Sequence, residues 1–289
     1  MHNPAAPVSA NAAMNATTSQ FAMLDATVTH DALRIEYQWL NAALNAAPLA
    51  VFLHEGLGSI AMWREWPQQL CDQLGMRGLV YSRPGYGRST PRPHDVVWPV
   101  DYLAIQAREI LPALLDTLGV DAVQRTRMWL IGHSDGGSIA LHYAALFPDQ
   151  LAGAVVVAPH VFVEDISLQG IAQTRTAYEE TELRERLSRY HDDVDSAFYG
   201  WSDIWSSPAF RTWNMVDALR AIRCPLLAVQ GHDDHYGTMA HLDAIAGQVP
   251  HAQLAKLGAC GHSPHRDAPD ALNAAITSFV AARRATKRD

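Results

Sequence analysis

The chain has 289 residues, 48% of them hydrophobic and 18% charged, enough apolar surface for one large domain or two small ones. A formal net charge of −8 argues against nucleic acid or an anionic membrane as partner, and no apolar run approaches the roughly 18 residues of a membrane span. Cys71, Cys224 and Cys260 cannot all pair and lie far apart in sequence. They read as buried thiols of a reducing, cytoplasmic setting and not as a disulfide framework or a zinc site.

Residues 1–20 are mostly Ala, Asn, Thr, Ser and Pro, without a basic start and an apolar stretch behind it. They read as a flexible tail, not a secretory signal. Residues 22–29 and 33–40 are expected as two strands, the second alternating through Leu33, Ile35, Tyr37 and Trp39. The apolar run 49–53 reads as a buried strand entering the turn His54-Glu55-Gly56-Leu57-Gly58. Ser59 is placed to cap a helix whose apolar face is Trp63, Trp66, Leu70 and Leu74, with Gly75 as its stop. A strand at 78–82 and an amphipathic helix over 101–118, bent at Pro112, come next. Residues 128–131 form a short strand running into Gly132-His133-Ser134-Asp135-Gly136-Gly137, then a helix that stops before Pro148. Strands over 154–158, 225–229 and 253–257 and a last helix over 268–282 complete the pattern. Strands alternating with helices at this spacing imply an α/β chain with a mostly parallel sheet covered on both faces.

One segment breaks the alternation. Between Pro159 and Cys224 no strand is evident. An amphipathic helix there carries Leu183, Leu187, Tyr190 and Val194 on one face, and Ser207-Pro208 opens a helix bearing Phe210 and Trp213. Residues 161–216 therefore read as a small helical cap, inserted in a core made of residues 21–160 and 217–289.

The chemistry concentrates at Gly132-His133-Ser134-Asp135-Gly136, a Gly-x-Ser-x-Gly pattern between a strand and a helix. A tight strand-to-helix turn exposes the serine hydroxyl above the sheet, and the flanking glycines avoid collision with the neighbouring backbone. The serine needs a base and an orienting acid. Gln230-Gly231-His232-Asp233-Asp234 and Ala259-Cys260-Gly261-His262 each follow a strand and so reach the same sheet edge. The resulting chain order is Ser134, Asp234, His262.

On these residues the chain resembles the α/β-hydrolase-fold enzymes with a helical cap, from about Phe21 to its end. The matching pieces are His54 to Gly58, Ser82-Arg83-Pro84-Gly85-Tyr86-Gly87-Arg88-Ser89, Gly132 to Gly137, Gly231 to Asp234 and Gly261-His262. In layout it is most similar to small carboxylesterases and meta-cleavage-product hydrolases. The resemblance implies that Asp234, last of Gly-x-x-Asp, is the acid and that His262, 28 residues on, is the base. It also implies an oxyanion hole from the backbone N–H groups of Gly56, or else Leu57, and of Asp135, whose side chain then has no part in the chemistry. Glu55 departs from the usual His-Gly-Gly and adds a carboxylate near that hole.

Other residues compete for these roles. Asp233 is the alternative acid one position away, and Glu164 or Asp165 a position used in some relatives. His133, His160, His232, His235 and His265 also lie near strand ends, where most of 14 histidines are structural. The run His232-Asp233-Asp234-His235 lacks a completing ligand set for a metal, and Gly85-Tyr86-Gly87-Arg88-Ser89 lacks the ending of a phosphate loop. Trp201, Trp205 and Trp213 are candidate walls of an aromatic substrate pocket, or else cap core. Glu182–Arg186 and Glu185–Arg189 have the spacing of solvated helix pairs. The reading is a serine hydrolase of a small carboxylic ester, with a small-molecule substrate and no cofactor. Hydrolysis of a carbon–carbon bond in a vinylogous diketone and a slow ligand-binding protein are the alternatives.

Overall fold

The computed structural model describes residues 19–27 and 29–285. Most of the tail expected at 1–20 lies outside these, and Gln20 already opens the first strand. The strands are β1 (Gln20–Leu24), β2 (Leu33–Leu40), β3 (Leu49–Leu53), β4 (Arg77–Tyr81), β5 (Met128–His133), β6 (Leu151–Val157), β7 (Leu226–Gly231) and β8 (Gln253–Leu257). They form one sheet in the order β1-β2-β4-β3-β5-β6-β7-β8. β1–β2 and β2–β4 pair antiparallel, and every later pair is parallel.

The helices in chain order are α1 (Ile60–Trp63), α2 (Trp66–Leu74), α3 (Tyr102–Ile105), α4 (Leu111–Thr117), α5 (Ala122–Arg125) and α6 (Asp135–Leu146). There follow α7 (Asp165–Glu180), α8 (Leu183–Ser188), α9 (Val194–Ser206), α10 (Ala240–Gln248), α11 (Pro264–Asp267) and α12 (Pro269–Ala285). The strands divide two cores by their period of two. Val51, Leu130, Ala154 and Val156 face one core with α4 and α6, whereas Phe52, Trp129, Ile131, Val155 and Val157 face the other with α2 and α12.

Three local expectations are corrected. β1 stops at Leu24, well short of residue 29, because its antiparallel partner begins at Leu33. The single helix expected after Ser59 is two, separated at Arg64, whose φ of 54° leaves the helical region. The helix around Pro112 contains a π-turn over Gln106–Ile110, in which the Leu111 N–H donates to the Gln106 carbonyl. Widening the turn accommodates a proline that has no N–H to give.

The segment between β6 and β7 also differs from expectation. α7 has no counterpart in the sequence, and the face Leu183, Leu187, Tyr190, Val194 is broken up: Leu183 and Leu187 lie in α8, Tyr190 in the connection and Val194 at the start of α9. His191 interrupts it: its Nδ1 accepts from the Gly87 N–H at 2.9 Å and its Nε2 donates to the Leu57 carbonyl at 2.9 Å. Asp193 then caps α9 through the Ser196 N–H at 2.9 Å. After Ser207-Pro208 only a 3₁₀ turn, Phe210–Thr212, forms. Neither Glu182–Arg186 nor Glu185–Arg189 is an ion pair among the described residues; Arg184 pairs with Asp195 instead.

Candidate active site

Ser134 sits between β5 and α6 with φ 53° and ψ −118°, a conformation that costs energy in a residue with a side chain. The neighbouring backbones leave no choice about the glycines. A Cβ on Gly132 would lie 2.1 Å from the Gly136 carbonyl oxygen, and one on Gly136 would lie 1.9 Å from that of Leu53. The elbow is thus wedged between its own helix and β3, and the serine is lifted to the carboxyl edge of the sheet.

His262, in the loop after β8, places Nε2 2.9 Å from Ser134 Oγ. Its Nδ1 lies 2.8 Å from Asp234 Oδ2, in the loop after β7. Asp234 is held in turn: Gln230 Nε2 donates to Oδ2 at 2.6 Å, and the Tyr236 N–H donates to Oδ1 at 2.8 Å. Burial disfavours the Asp234 carboxylate, but the hydrogen bond and charge of His262 and the Tyr236 N–H prevail and keep its pKa below the ordinary value. Burial lowers the pKa of His262 and Asp234 opposes it, with a net shift below 6.5, so the imidazole is a neutral acceptor at neutral pH. Asp233 is exposed and Asp234 buried, and only the latter touches His262. Glu164 lies 2.9 Å from His241 and accepts from the Thr238 N–H, away from His262. No group of three metal-ligating side chains occurs among the described residues, His232-Asp233-Asp234-His235 included.

A cavity of about 160 Å³ opens onto Ser134. Gly56, Leu57 and Asp135 line it, together with Ser167 and Ile171 of α7 and Trp201 and Trp205 of α9. Neither the Gly56 nor the Asp135 N–H has a hydrogen-bond partner among the described residues. A Cβ on Gly56 would lie 2.3 Å from the Trp201 ring, so only glycine lets that indole close over the loop. Trp213 lies elsewhere: it stacks on Phe210 at 5.2 Å, next to Trp205, and is not in the cavity wall.

Behind the wall lies a polar layer that the sequence reading did not single out. The Asp135 side chain accepts from Tyr102 Oη at 2.8 Å, Tyr102 accepts from Trp205 Nε1 at 2.9 Å, and buried Arg83 stands 3.5 Å from Asp135. Arg83 also donates to the Glu55 carbonyl at 2.8 Å, and its own N–H donates to His54 Nε2 at 2.9 Å. His133 Nε2 donates to the His262 carbonyl at 2.6 Å. The turn after β3, the elbow and the loop after β8 are thereby tied together by side chains other than Ser134, His262 and Asp234. His160 and Tyr236 complete the wall. Of the two, only His160 is marked in the sequence, by its place near a strand end.

The profile of the alpha/beta hydrolase family matches residues 50–275. The chain is 28% identical over 240 residues to the polyketide synthase ThaQ of Burkholderia thailandensis, a match covering 74% of this chain and only 11% of that protein. It is 23% identical over 258 residues to a 2-hydroxy-6-oxononadienedioate/2-hydroxy-6-oxononatrienedioate hydrolase of Comamonas testosteroni, covering 80% of this chain and 87% of the relative. Among solved structures, a carboxylesterase of Nitrososphaera gargenis superposes with a TM-score of 0.72 at 19% identity, over 91% of this chain and 99% of that one. The expected likeness to carboxylesterases and meta-cleavage-product hydrolases is met by both sets of relatives. With that match over residues 50–275 and a mostly parallel eight-stranded sheet, the chain belongs to the alpha/beta hydrolase family.

Proposed function

We propose that the protein is a serine hydrolase that cleaves a small carboxylic ester through an acyl-enzyme on Ser134. The observation that carries this reading is the line Asp234–His262–Ser134, with contacts of 2.8 and 2.9 Å, ending on a cavity. Ser134 Oγ adds to the ester carbonyl while His262 Nε2 takes its proton, and Asp234 stabilises the imidazolium that forms. The Gly56 and Asp135 N–H groups receive the oxyanion, each such donor being worth about 3–4 kcal/mol in comparable sites. The C–O bond then breaks, the alcohol leaves with the proton from His262, and water repeats the sequence to release the acid. Residues 161–216 act as the cap, since α7 and α9 supply the wall opposite Ser134.

The second reading, carbon–carbon hydrolysis of a vinylogous diketone, draws support from the Comamonas testosteroni relative. The cavity favours the ester. A dienedioate needs a cation for its acidic tail, and the described lining contains no lysine or arginine. The test is kcat/KM for aryl esters of increasing acyl length beside a ring-cleavage diketone. Turnover of short aryl esters is the expected result. A diketone preference above about a hundredfold, near 2.7 kcal/mol of transition-state stabilisation, replaces the ester reading by the second. No turnover of either leaves the ligand-binding alternative.

A further inference from the structure

The cavity wall has acceptors and a carboxylate but no cation. Three arginines of the helical segment pair elsewhere, Arg175 with Asp203 and Glu179, Arg184 with Asp195 and Arg211 with Asp165, and neither Arg186 nor Arg189 lines the cavity. Glu55 stands in the wall with its side chain 17% exposed. Gly58 makes the room for it, since a Cβ there would lie 2.5 Å from Glu55 Oε2. No N–H or O–H of the described residues donates to this carboxylate. Among the described residues its ion-pair contact is His133 Nδ1 at 3.6 Å, too long for a hydrogen bond. His133 Nε2 is already the donor to the His262 carbonyl, so a neutral His133 turns a lone pair toward Glu55.

Two further wall groups share this bias. His160, 3% exposed, donates through Nε2 to the Tyr236 carbonyl at 3.0 Å, which leaves Nδ1 an acceptor without a partner among the described residues. Ser167 gives its proton to the same carbonyl at 2.6 Å and keeps only acceptor capacity for the cavity. Buried acceptors with nothing to accept are unfavourable, and a carboxylate most of all. Glu55 is open to the cavity, so a ligand seated there can bring the donor that these acceptors lack.

We propose that the substrate carries a protonated amine and that Glu55 is the residue that recognises it, so that ammonium-bearing esters are preferred and carboxylate-bearing ones rejected. This rests on the serine-ester reading and names its substrate class. The test uses three aryl phosphonates alike except for one arm, 2-ammonioethyl, n-propyl or carboxymethyl. Second-order labelling of Ser134 is followed by intact-mass spectrometry and normalised to each reagent's rate in water. A charge-assisted hydrogen bond to a shielded carboxylate predicts that the ammonium reagent leads the propyl one by about tenfold to a hundredfold, with the carboxylate slowest. Glu55→Gln is expected to bring the first two within about threefold of each other, and Glu55→Asp to restore part of the gap. Equal rates in the unaltered protein, or a preference that survives Glu55→Gln, overturn the proposal; a proton on His133 Nδ1 then satisfies the carboxylate. The order in the unaltered protein decides the matter even if the variants do not fold. If no reagent labels Ser134, the nucleophile assignment is what fails, and calorimetric titration of the same three compounds still ranks them.

Discussion

Among the described residues, two carboxylate–imidazole pairs stand closer than 3 Å at the carboxyl edge of this sheet, and they are not equivalent. Asp234 and His262 come from the loops after β7 and β8, and the far nitrogen of His262 meets the Ser134 hydroxyl beside the cavity. Glu164 and His241 come from the loop after β6 and the start of α10, 2.9 Å apart. The far nitrogen of His241 accepts the Val161 N–H at 3.3 Å, and the ring is wholly buried. A carboxylate against an imidazole marks chemistry only where the second nitrogen is left for a reacting group. Where a backbone N–H takes that nitrogen, the pair is a strut.

The largest expected effect separates the two pairs at the hydroxyl. Ser134→Ala is expected to lower turnover on the order of 10⁴-fold or more with folding intact, and to abolish phosphonate labelling. Labelling that survives in that variant would remove Ser134 from the mechanism. Next comes the acid. Asp234→Asn is expected to cost about 10⁴-fold in kcat, whereas exposed Asp233→Asn stays within about threefold. Equal losses at the two would place the acid one residue earlier.

The strut is expected to behave in the opposite way. Glu164→Gln should leave kcat/KM within about threefold and lower the unfolding free energy by about 1–3 kcal/mol in a denaturant titration, the usual result of disturbing a buried polar partner. A thousandfold loss of turnover at unchanged stability would erase the distinction between the pairs.

Acidity gives the smallest and most graded separation. Burial lowers the pKa of His262 against the pull of Asp234, so the acid limb of kcat/KM is expected below pH 6.5. Asp234→Asn removes the opposing contribution and should move the limb to still lower pH in the residual activity. Stability has its own window. Burial lowers His160 and His265 to about 3 and His142 to about 4 from 6.5, so the folded state binds fewer protons than the unfolded one. Their contribution is complete above pH 6.5 and is lost as pH falls toward about 3, by up to roughly 1.4 kcal/mol per pH unit for each group. Urea midpoints that stay flat from pH 7 to 4 would show that these rings take up protons without cost.

How much of this was visible beforehand depended on whether a pattern was local. β2, β3 and β8 begin and end where alternation and apolar runs predict: β2 and β3 bury side chains of their own, whereas β8, with no buried side chain, keeps its bounds by pairing with β7. α7 escaped notice because its buried face is Ser167, Gly170, Ile171 and Tyr178, and two apolar or aromatic side chains seven residues apart are too few to set an apolar period. The helix drawn through Leu183 to Val194 failed for a related reason. His191 leaves it to bridge Gly87 and Leu57, residues 104 and 134 positions away, and no local preference reports such a partner.

The sequence by itself determined the α/β architecture, the elbow and a chain order of serine, then aspartate, then histidine, because strand periodicity, glycine placement and loop order are properties of adjacent residues. Only the tertiary structure decided which of two neighbouring aspartates meets His262, that Trp201 and Trp205 but not Trp213 wall the cavity, and that Glu55 stands there without a hydrogen-bond donor among the described residues. These depend on distances between loops that lie far apart along the chain. They are set by how the sheet and the segment between β6 and β7 pack, which no local pattern encodes.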